Sequence, residues 1–431
     1  MRLTPDSLRR SFAPHSLVGV LLLALVAGVI AVRLFHNQGM MGLDWSFPYF
    51  SGAANFKRFF DWQISPSDYQ LAQQLPLSEY AHYRHQASAE TVPYAINSYG
   101  YVLVAVLARF LFQGMGDAQA VIGLQLAVHA LISVLFLCVI FASTRSRLAF
   151  VVLYVANPLV IYFATYPFYY FWLCIPSACC AALLLRPRWG REILLLSTPL
   201  LLLALLIRPT TIFLCLLIYA YAFRALPRDR WGLVVPCLVL FVAGVVMISS
   251  VNPRQPPWHT MVVGLGAYPN ASGVTSLSDD AGYRLFKEQT GIPITTRPVS
   301  GNWGQPALMK SYGAVLRARY VHVLLTDPLR LIANALINLG QVFSIGYIVD
   351  NVVLSVLSSL LGWAVAVYLL ARGQLVWVLA ILASALSFFW YFPPIPAYNF
   401  ASYLLLACGL IASMPCLAPS QVEPSDQPQV S

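Results

Sequence analysis

The sequence predicts an all-α polytopic membrane protein with about 10–12 apolar helices. Of its 431 residues, 59% are apolar and only 10% are charged, whereas ordinary soluble domains carry about 25% charged residues. The apolar residues fall in continuous blocks close to the roughly 20 residues that a helix needs to cross a bilayer. A transmembrane β-barrel would show alternating apolarity, so we do not expect one.

Twelve apolar blocks follow one another along the chain. They are 16–35, 94–113, 118–141, 148–165, 168–185, 193–207, 210–223, 231–251, 329–349, 352–370, 376–391 and 397–414. The first block follows three arginines as a signal sequence would, but it is long for one and no small-residue cleavage site follows it. We therefore expect an uncleaved first span.

The basic excess of the chain indicates membrane topology rather than nucleic-acid binding. The sequence has 26 Lys and Arg against 16 Asp and Glu, and 23 of the 26 are Arg. Most of these arginines lie in short loops between apolar blocks, and none form the basic stripe of a nucleic-acid surface. The eight cysteines lie in or beside apolar segments, which favours helix residues over a secreted disulfide framework.

Three short basic loops define one face of the membrane. They carry Arg145 and Arg147; Arg186, Arg188 and Arg191; and Arg224, Arg228 and Arg230. Two blocks separate each neighbouring pair of loops, so all three share a face that the positive-inside rule makes cytoplasmic, together with the basic N-terminus. One of the first three blocks must then fail to cross. We expect 94–113 to be re-entrant or interfacial, because Asn97 and Arg109 are expensive in hydrocarbon.

This count divides the chain into six segments. They are a cytoplasmic tail with the first span (1–35), a first loop with interfacial or re-entrant helices (36–117), a transmembrane bundle (118–251), a central loop (252–328), C-terminal spans (329–414) and a disordered tail (415–431). Both long loops are expected on the external face. Residues 304–328 are typical of an amphipathic interfacial helix, on which Tyr312, Leu316, Tyr320 and Leu324 recur. After residue 328, ten and eleven crossings both fit the sequence.

Asp44 is a candidate general base in the first loop. It lies nine residues past the first block, in MGLDWSFPYFSGAANF, with aromatic residues following it closely. Such surroundings would hold a carboxylate at interface depth, where partial desolvation raises its pKa and suits it to accept a proton. The alternative is a helix N-cap ahead of a 45–60 helix, a position that Asp favours.

The layout resembles the GT-C superfamily of membrane glycosyltransferases. The features that carry the resemblance are a first span ending in a large external loop, Asp44 soon after it, interfacial helices before the second true span, Asn157-Pro158 at the start of a later span, and LLIRPT at 205–210. The resemblance covers roughly the first 225 residues. It implies sugar transfer from a polyprenyl-phosphate carrier to an acceptor on the external face, with Asp44 as the catalytic base. Many relatives place an acidic residue where this chain has FATYPFYY (163–170).

Arg208 is a candidate ligand for the donor phosphate. It stands just past the apolar run 193–207 and before Pro209, which the topology places at the outer membrane surface. A lipid-linked donor presents its phosphate at that depth, and an Arg can pair with it through two parallel hydrogen bonds and stabilise the leaving group. The alternative is a snorkelling Arg that only marks the interface.

The central loop holds the densest set of candidate substrate contacts. Within 256–286 lie Trp258, His259, Tyr268, Asn270, Asp279 and Asp280. Aromatic rings stack on sugars while polar groups bind hydroxyls, and a His can contact phosphate. Tyr94 and Asn97, in the first loop, are further candidate substrate contacts. The alternative is a structural loop in which Gly makes turns, Trp anchors and Asp caps a helix.

The leading functional hypothesis is therefore a polyprenyl-phosphate-dependent glycosyltransferase in a bacterial inner membrane, with its site facing the periplasm. The expected partners are the lipid-linked sugar, membrane lipids and a glycan, lipid or protein acceptor. No cofactor is firmly expected, because one His with two Asp some twenty residues away is too loose a spacing to support a divalent metal. The alternatives are a transporter or flippase of a lipid-linked substrate and a non-catalytic envelope-assembly protein. The absence of a visible repeat favours the enzyme.

Overall fold

The computed structural model describes residues 28, 43–92, 98–187, 190–225, 231–251, 257–270, 272–296, 301–302, 305–349 and 351–414. The predicted first span, 16–35, lies outside these residues apart from Gly28, as does the tail 415–431. The part of the chain that is described is helical, and its only β pairing is an isolated bridge between Ile64 and Val92.

Eighteen α-helices follow in order over the described residues. They are α1 (Leu43–Phe59), α2 (Pro66–Gln74), α3 (Leu77–Tyr80), α4 (Tyr99–Leu111), α5 (Asp117–Leu135), α6 (Thr144–Phe150), α7 (Pro158–Thr165), α8 (Cys174–Leu185), α9 (Gly190–Ile207), α10 (Ile212–Ala225), α11 (Trp231–Val251), α12 (Pro257–Leu265), α13 (Asp279–Thr290), α14 (Pro306–Thr326), α15 (Pro328–Val342), α16 (Val352–Ala371), α17 (Leu375–Ala385) and α18 (Pro396–Ser413). Every apolar block from 94–113 onward coincides with one or two of these helices.

Long apolar helices fit an integral membrane protein. Among the described residues, three helices are long and apolar enough to span a bilayer, and two bent helix pairs bring the number to five if each pair is one span. Six shorter apolar helices of 10–17 residues accompany them. Large apolar side chains such as Leu131, Leu196 and Val367 are exposed on their outer surfaces, as lipid contact requires.

The predicted block 148–165 is a broken helix. The segment Thr144–Val155 ends in a π-helical turn, and α7 then leaves at an angle of 53°. Asn157 caps α7, because its Oδ1 accepts the Leu159 N–H at 2.9 Å, and Pro158 occupies the first helical position. Proline lacks the N–H that a continuous helix needs, so the Asn-Pro pair sets the break.

The block 94–113 forms a helix too short to cross the hydrocarbon alone. α4 has 13 residues, about 20 Å at the usual rise, against a core of about 30 Å. Its Arg109 is buried and donates to Asp117 at 2.5 Å and to the His85 carbonyl at 3.0 Å. The charge of the buried Arg109 guanidinium is thus balanced by a carboxylate, and the group is not exposed to lipid.

α14 and α15 meet at an elbow that bends by 99°. On α14 the residues Tyr312, Leu316, Tyr320 and Val323 are buried, whereas Leu324 is exposed, so the buried stripe continues at a spacing of three rather than the predicted four. α15 starts where the central loop ends. The turn that follows α15 contacts the central loop again. Tyr347 donates its N–H to Pro394 and its hydroxyl to the Ala267 carbonyl, each at 2.8 Å.

Candidate functional site

Arg208 lies at a helix end between two tyrosine rings. Pro209 disfavours a helical conformation at the residue before it, and Arg208 accordingly leaves α9 with extended backbone angles. Its Nη1 donates to the Tyr169 hydroxyl at 3.0 Å. The guanidinium carbon is 5.0 Å from the ring centre of Tyr169 and 4.7 Å from that of Tyr398. These cation–π contacts fix the plane of the guanidinium group.

The N-terminal half of α1 packs on the aromatic turn that supplies Tyr169. Ser46 Oγ donates to the Pro167 carbonyl at 2.7 Å. The ring of Tyr49 is 5.8 Å from that of Phe168 and 6.3 Å from that of Tyr169, centre to centre. The backbone of Asp44 lies in the first turn of the same helix rather than ahead of it, while its side chain lies outside the described part of the structure. Its role as a general base stays a prediction.

His259 is held between a carboxylate and a buried hydroxyl. Its Nε2 is 3.1 Å from Asp279 Oδ1, and its Nδ1 is 2.5 Å from the Tyr312 hydroxyl. The ring of Tyr283 stacks on the imidazole at 5.4 Å. A neutral imidazole with its proton on Nε2 matches both contacts, because Nε2–H then donates to the carboxylate while Nδ1 accepts from the tyrosine. His259 is buried, whereas the side chain of Asp279 is 53% exposed.

The helix α13 approaches this histidine closely because it carries Gly282. A Cβ at that position would lie 2.7 Å from the Tyr312 hydroxyl and 3.0 Å from His259 Nδ1. Burial raises the pKa of Tyr312, and the neighbouring Tyr283 and Asp279 raise it further. Tyr312 therefore remains a protonated donor at physiological pH.

The arginine and the histidine belong to one region of the fold. Asp279 lies within electrostatic range of Tyr169, and Tyr391 lies within range of both Arg208 and Tyr320. The backbone of α12 touches the C-terminal turn, since a Cβ on Gly264 would lie 1.9 Å from the Tyr391 carbonyl oxygen. We call the set Tyr169, Arg208, His259, Asp279 and Tyr398 the candidate cluster.

Trp258, Tyr268 and Asn270 hold the central loop together. Trp258 packs against α14, with the Arg317 guanidinium carbon 5.8 Å from its ring centre. The buried Tyr268 donates its hydroxyl to Asn338 Oδ1 at 2.7 Å. Asn270 Nδ2 contacts three loop carbonyls at 2.7–2.9 Å, those of Leu265, Tyr268 and Val274. Substrate contact by these residues stays a prediction.

The remaining predicted site residues fall outside the candidate cluster or outside the described residues. Asp280 is exposed in the first turn of α13, and its N–H donates to the cap residue Ser278. Tyr94 and Asn97 lie in the segment 93–97, which is not described. Over the residues that are described, no three His, Cys, Asp or Glu side chains come close enough to hold a metal ion.

A buried polar network in the first loop was not predicted from the sequence. Asp68 Oδ2 is 2.6 Å from His85 Nδ1, and Asp68 Oδ1 accepts from the Tyr83 hydroxyl and the Gln86 N–H, each at 2.8 Å. The His85 N–H donates to Asp117, the partner of Arg109. Burial opposes ionisation of Asp68, but His85 above all, with Gln86 and Tyr83, holds its pKa below the usual value. No sequence spacing signals this network, because its members come from four separate segments.

Comparison of the chain with known protein families, with curated proteins and with solved structures finds no match.

Proposed function

We propose that this protein is a membrane glycosyltransferase that moves a sugar from a polyprenyl-phosphate carrier to an acceptor on the external face of a bacterial inner membrane. The observation that carries the proposal is the fixed orientation of Arg208 between Tyr169 and Tyr398, with Asp279, the partner of His259, within electrostatic range of Tyr169. A cation, an oriented imidazole and a half-exposed carboxylate in one region suit a phosphate-bearing sugar donor.

Arg208 is proposed to bind the donor phosphate. A guanidinium group held by two aromatic rings loses little rotamer freedom when it pairs with a phosphate, so more of the interaction energy remains for binding. As the bond between the anomeric carbon and the phosphate oxygen breaks, negative charge grows on that oxygen. A preoriented cation stabilises this charge without reorganising at the moment of reaction.

His259 is proposed to assist at the same phosphate, and Asp279 to contact the sugar. The hydroxyl of Tyr312 and the carboxylate of Asp279 set the tautomer of the imidazole, as a supporting residue does in many catalytic sites. Asp279 is half exposed, so it is open to a ligand while it orients the histidine.

Asp44 is proposed to remove the proton from the acceptor hydroxyl as that oxygen attacks the anomeric carbon. The proposal is supported by the position of α1, which packs through Ser46 and Tyr49 on the turn that carries Tyr169. The proton goes to Asp44 and the polyprenyl phosphate departs.

The test is sugar transfer by the purified full chain in lipid nanodiscs. A panel of radiolabelled polyprenyl-phosphate sugars is offered with envelope extracts as acceptors, and release of polyprenyl phosphate is measured together with the labelled product. We expect release with at least one donor, and loss of release in Arg208→Lys but not in Arg224→Lys, a matched change at an exposed position in α10. Transfer that proceeds equally in both variants would refute the assignment of Arg208.

A transporter or flippase remains the second candidate, because the break between Thr144–Val155 and α7 is a feature that many transporters use at their substrate sites. A liposome assay separates the two candidates. Translocation of an intact lipid-linked sugar without release of polyprenyl phosphate would favour transport. Neither activity under any condition would favour the non-catalytic envelope-assembly role.

A further inference from the structure

A polar cavity lies at the elbow between α14 and α15. It has a volume of about 80 Å³, which is larger than a single water molecule requires. The side chains that give it its charge are Arg319, Arg330, His322 and Asp327. Two arginines against one aspartate leave a net positive charge with the histidine neutral. None of the five residues of the candidate cluster lines this cavity.

The cavity contains polar groups with no protein partner. Asn334 lines it and is only 8% exposed, yet its side-chain amide makes no hydrogen bond with any described residue. Arg319 donates through Nη2 to the Ser272 carbonyl, but its buried Nε finds no partner within the described part of the chain. Buried donors are normally satisfied, so the Arg319 Nε–H, which has no acceptor among the described residues, indicates a site for an external acceptor, and the Asn334 amide lines the same cavity.

The aspartate in the cavity does not neutralise both arginines. Asp327 Oδ1 accepts the Arg330 backbone N–H at 3.2 Å and so caps α15. Its Oδ2 is 3.9 Å from Arg330 Nε, a long ion pair in which both side chains are 46% exposed. An exposed pair of this kind is weak and easily exchanged for a stronger one with phosphate.

Exposed apolar side chains lie on the same two helices as the cavity. Leu325 and Leu329 flank the elbow and are each 77% exposed, and Ile332 and Leu336 continue this surface along α15. A groove of about 310 Å³ runs beside them, lined by Leu331, Ala335, Leu339, Phe389 and Trp390. Arginines next to exposed leucines and an apolar groove match the boundary between headgroups and acyl chains.

We propose that the elbow binds an anionic membrane phospholipid, with its phosphate in the cavity at Arg319, Arg330 and Asn334 and an acyl chain in the groove beside Leu331. The Arg319 Nε–H, the Arg330 guanidinium and the Asn334 amide donate to phosphate oxygens, while the acyl chain covers the groove. The occupant is a bilayer phospholipid because the arginines that line the cavity share α14 and α15 with strongly exposed leucines, as at the boundary between headgroups and acyl chains. This inference does not depend on the proposed transferase activity.

The test is native mass spectrometry of the detergent-purified full chain with equal amounts of phosphatidylglycerol and phosphatidylcholine. We expect preferential binding of phosphatidylglycerol. We expect Arg330→Gln to weaken that binding about tenfold, as the loss of a hydrogen bond to a charged group does. Asn334→Asp, which keeps the shape of the side chain and adds a negative charge, should weaken it at least as much. Lys310→Gln removes the same charge from an exposed position of α14 that does not line the cavity, and should bind as the wild type does.

Several outcomes would overturn the proposal. Equal binding of the two phospholipids by the wild type would remove the charge preference, and wild-type affinity in both Arg330→Gln and Asn334→Asp would remove the site. If inorganic phosphate displaced the phospholipid at the same concentration, the cavity would be a site for soluble anions. Displacement by polyprenyl phosphate at lower concentration would replace the phospholipid with the carrier lipid. A melting curve of each variant shows whether reduced binding reflects unfolding. Because the Arg330 side chain is exposed to solvent, unfolding complicates the result for Arg330→Gln least.

Discussion

The guanidinium carbon of Arg208 lies 4.7 Å from the ring centre of Tyr398, at the start of the last helix. This contact joins the end of α9, in the first half of the chain, to the C-terminal helices. It places the proline- and tyrosine-rich turn 391–400 beside the end of α9. The turn carries no charge, so the positive-inside rule gives no information about its side of the membrane.

The first prediction concerns topology. Cysteines introduced at the exposed Ser67, Ser276 and Val349 should react with a membrane-impermeant thiol reagent from one side, because α15 begins and ends beside the central loop. A cysteine at Gln374, in the turn after α16, should react from the other side. The chain without introduced cysteines is the control for labelling of the native cysteines. Reaction of Val349→Cys from the side of Gln374→Cys would show that α15 crosses the membrane.

The second prediction concerns the base. Asp44→Asn keeps the shape of the side chain but removes its basicity, so transfer should fall by about 100- to 10,000-fold. Glu79→Gln makes the same chemical change at an exposed position of the first loop and should leave transfer unchanged. The measurement is turnover with donor in excess, together with a melting curve. Near-normal turnover in Asp44→Asn would assign Asp44 a structural role.

The third prediction concerns the donor phosphate. Arg208→Lys keeps the charge but loses the planar fork and the contacts with Tyr169 and Tyr398, so donor affinity should fall about tenfold. His259→Ala should also impair transfer. If both side chains meet one phosphate, the double variant should lose less than the sum of the two single losses, because adjacent groups couple. If the two losses of donor affinity were strictly additive, Arg208 and His259 would not contact the same phosphate.

The fourth prediction concerns stability of the first loop. Asp68→Ala leaves His85, the Tyr83 hydroxyl and the Gln86 N–H without their shared acceptor, and removing one partner of such a buried pair costs roughly 3–5 kcal/mol. The melting temperature in nanodiscs should therefore fall clearly, whereas Glu79→Ala on the exposed surface should leave it unchanged. A wild-type melting temperature in Asp68→Ala would mean that the network contributes little.

The fifth prediction concerns pH. The pKa of Asp68 is lowered in the folded protein, so the ionised network stabilises the fold fully above the ordinary Asp value and loses this contribution as the pH falls through the lower folded value. The difference in melting temperature between the wild type and Asp68→Ala should shrink as the pH falls below about 4. A difference that grows on acidification would contradict the sign of the shift.

Much of the helical layout was predictable, and little of the site was. The blocks 118–141 and 352–370 coincide closely with observed helices because hydropathy acts residue by residue along the chain. Arg208 and His259 were singled out because a charge and an imidazole beside apolar runs are conspicuous. Their surroundings were not predictable. Tyr398 and Tyr312 had no spacing relation to their partners, and the amide of Asn270 is used within its own loop.

The sequence by itself determined that this chain is helical and suited to a membrane, because segment composition fixes the free energy of placing a helix in hydrocarbon. The tertiary structure decided which polar groups meet. Burial of Asp68, Arg109 and Asp117 is tolerable only where partners from other helices neutralise or hydrogen-bond them. Arg319 and Asn334 likewise came to line one cavity only once α14 and α15 had folded against the central loop. Such contacts depend on packing between distant segments, and a linear pattern of residues does not encode them locally.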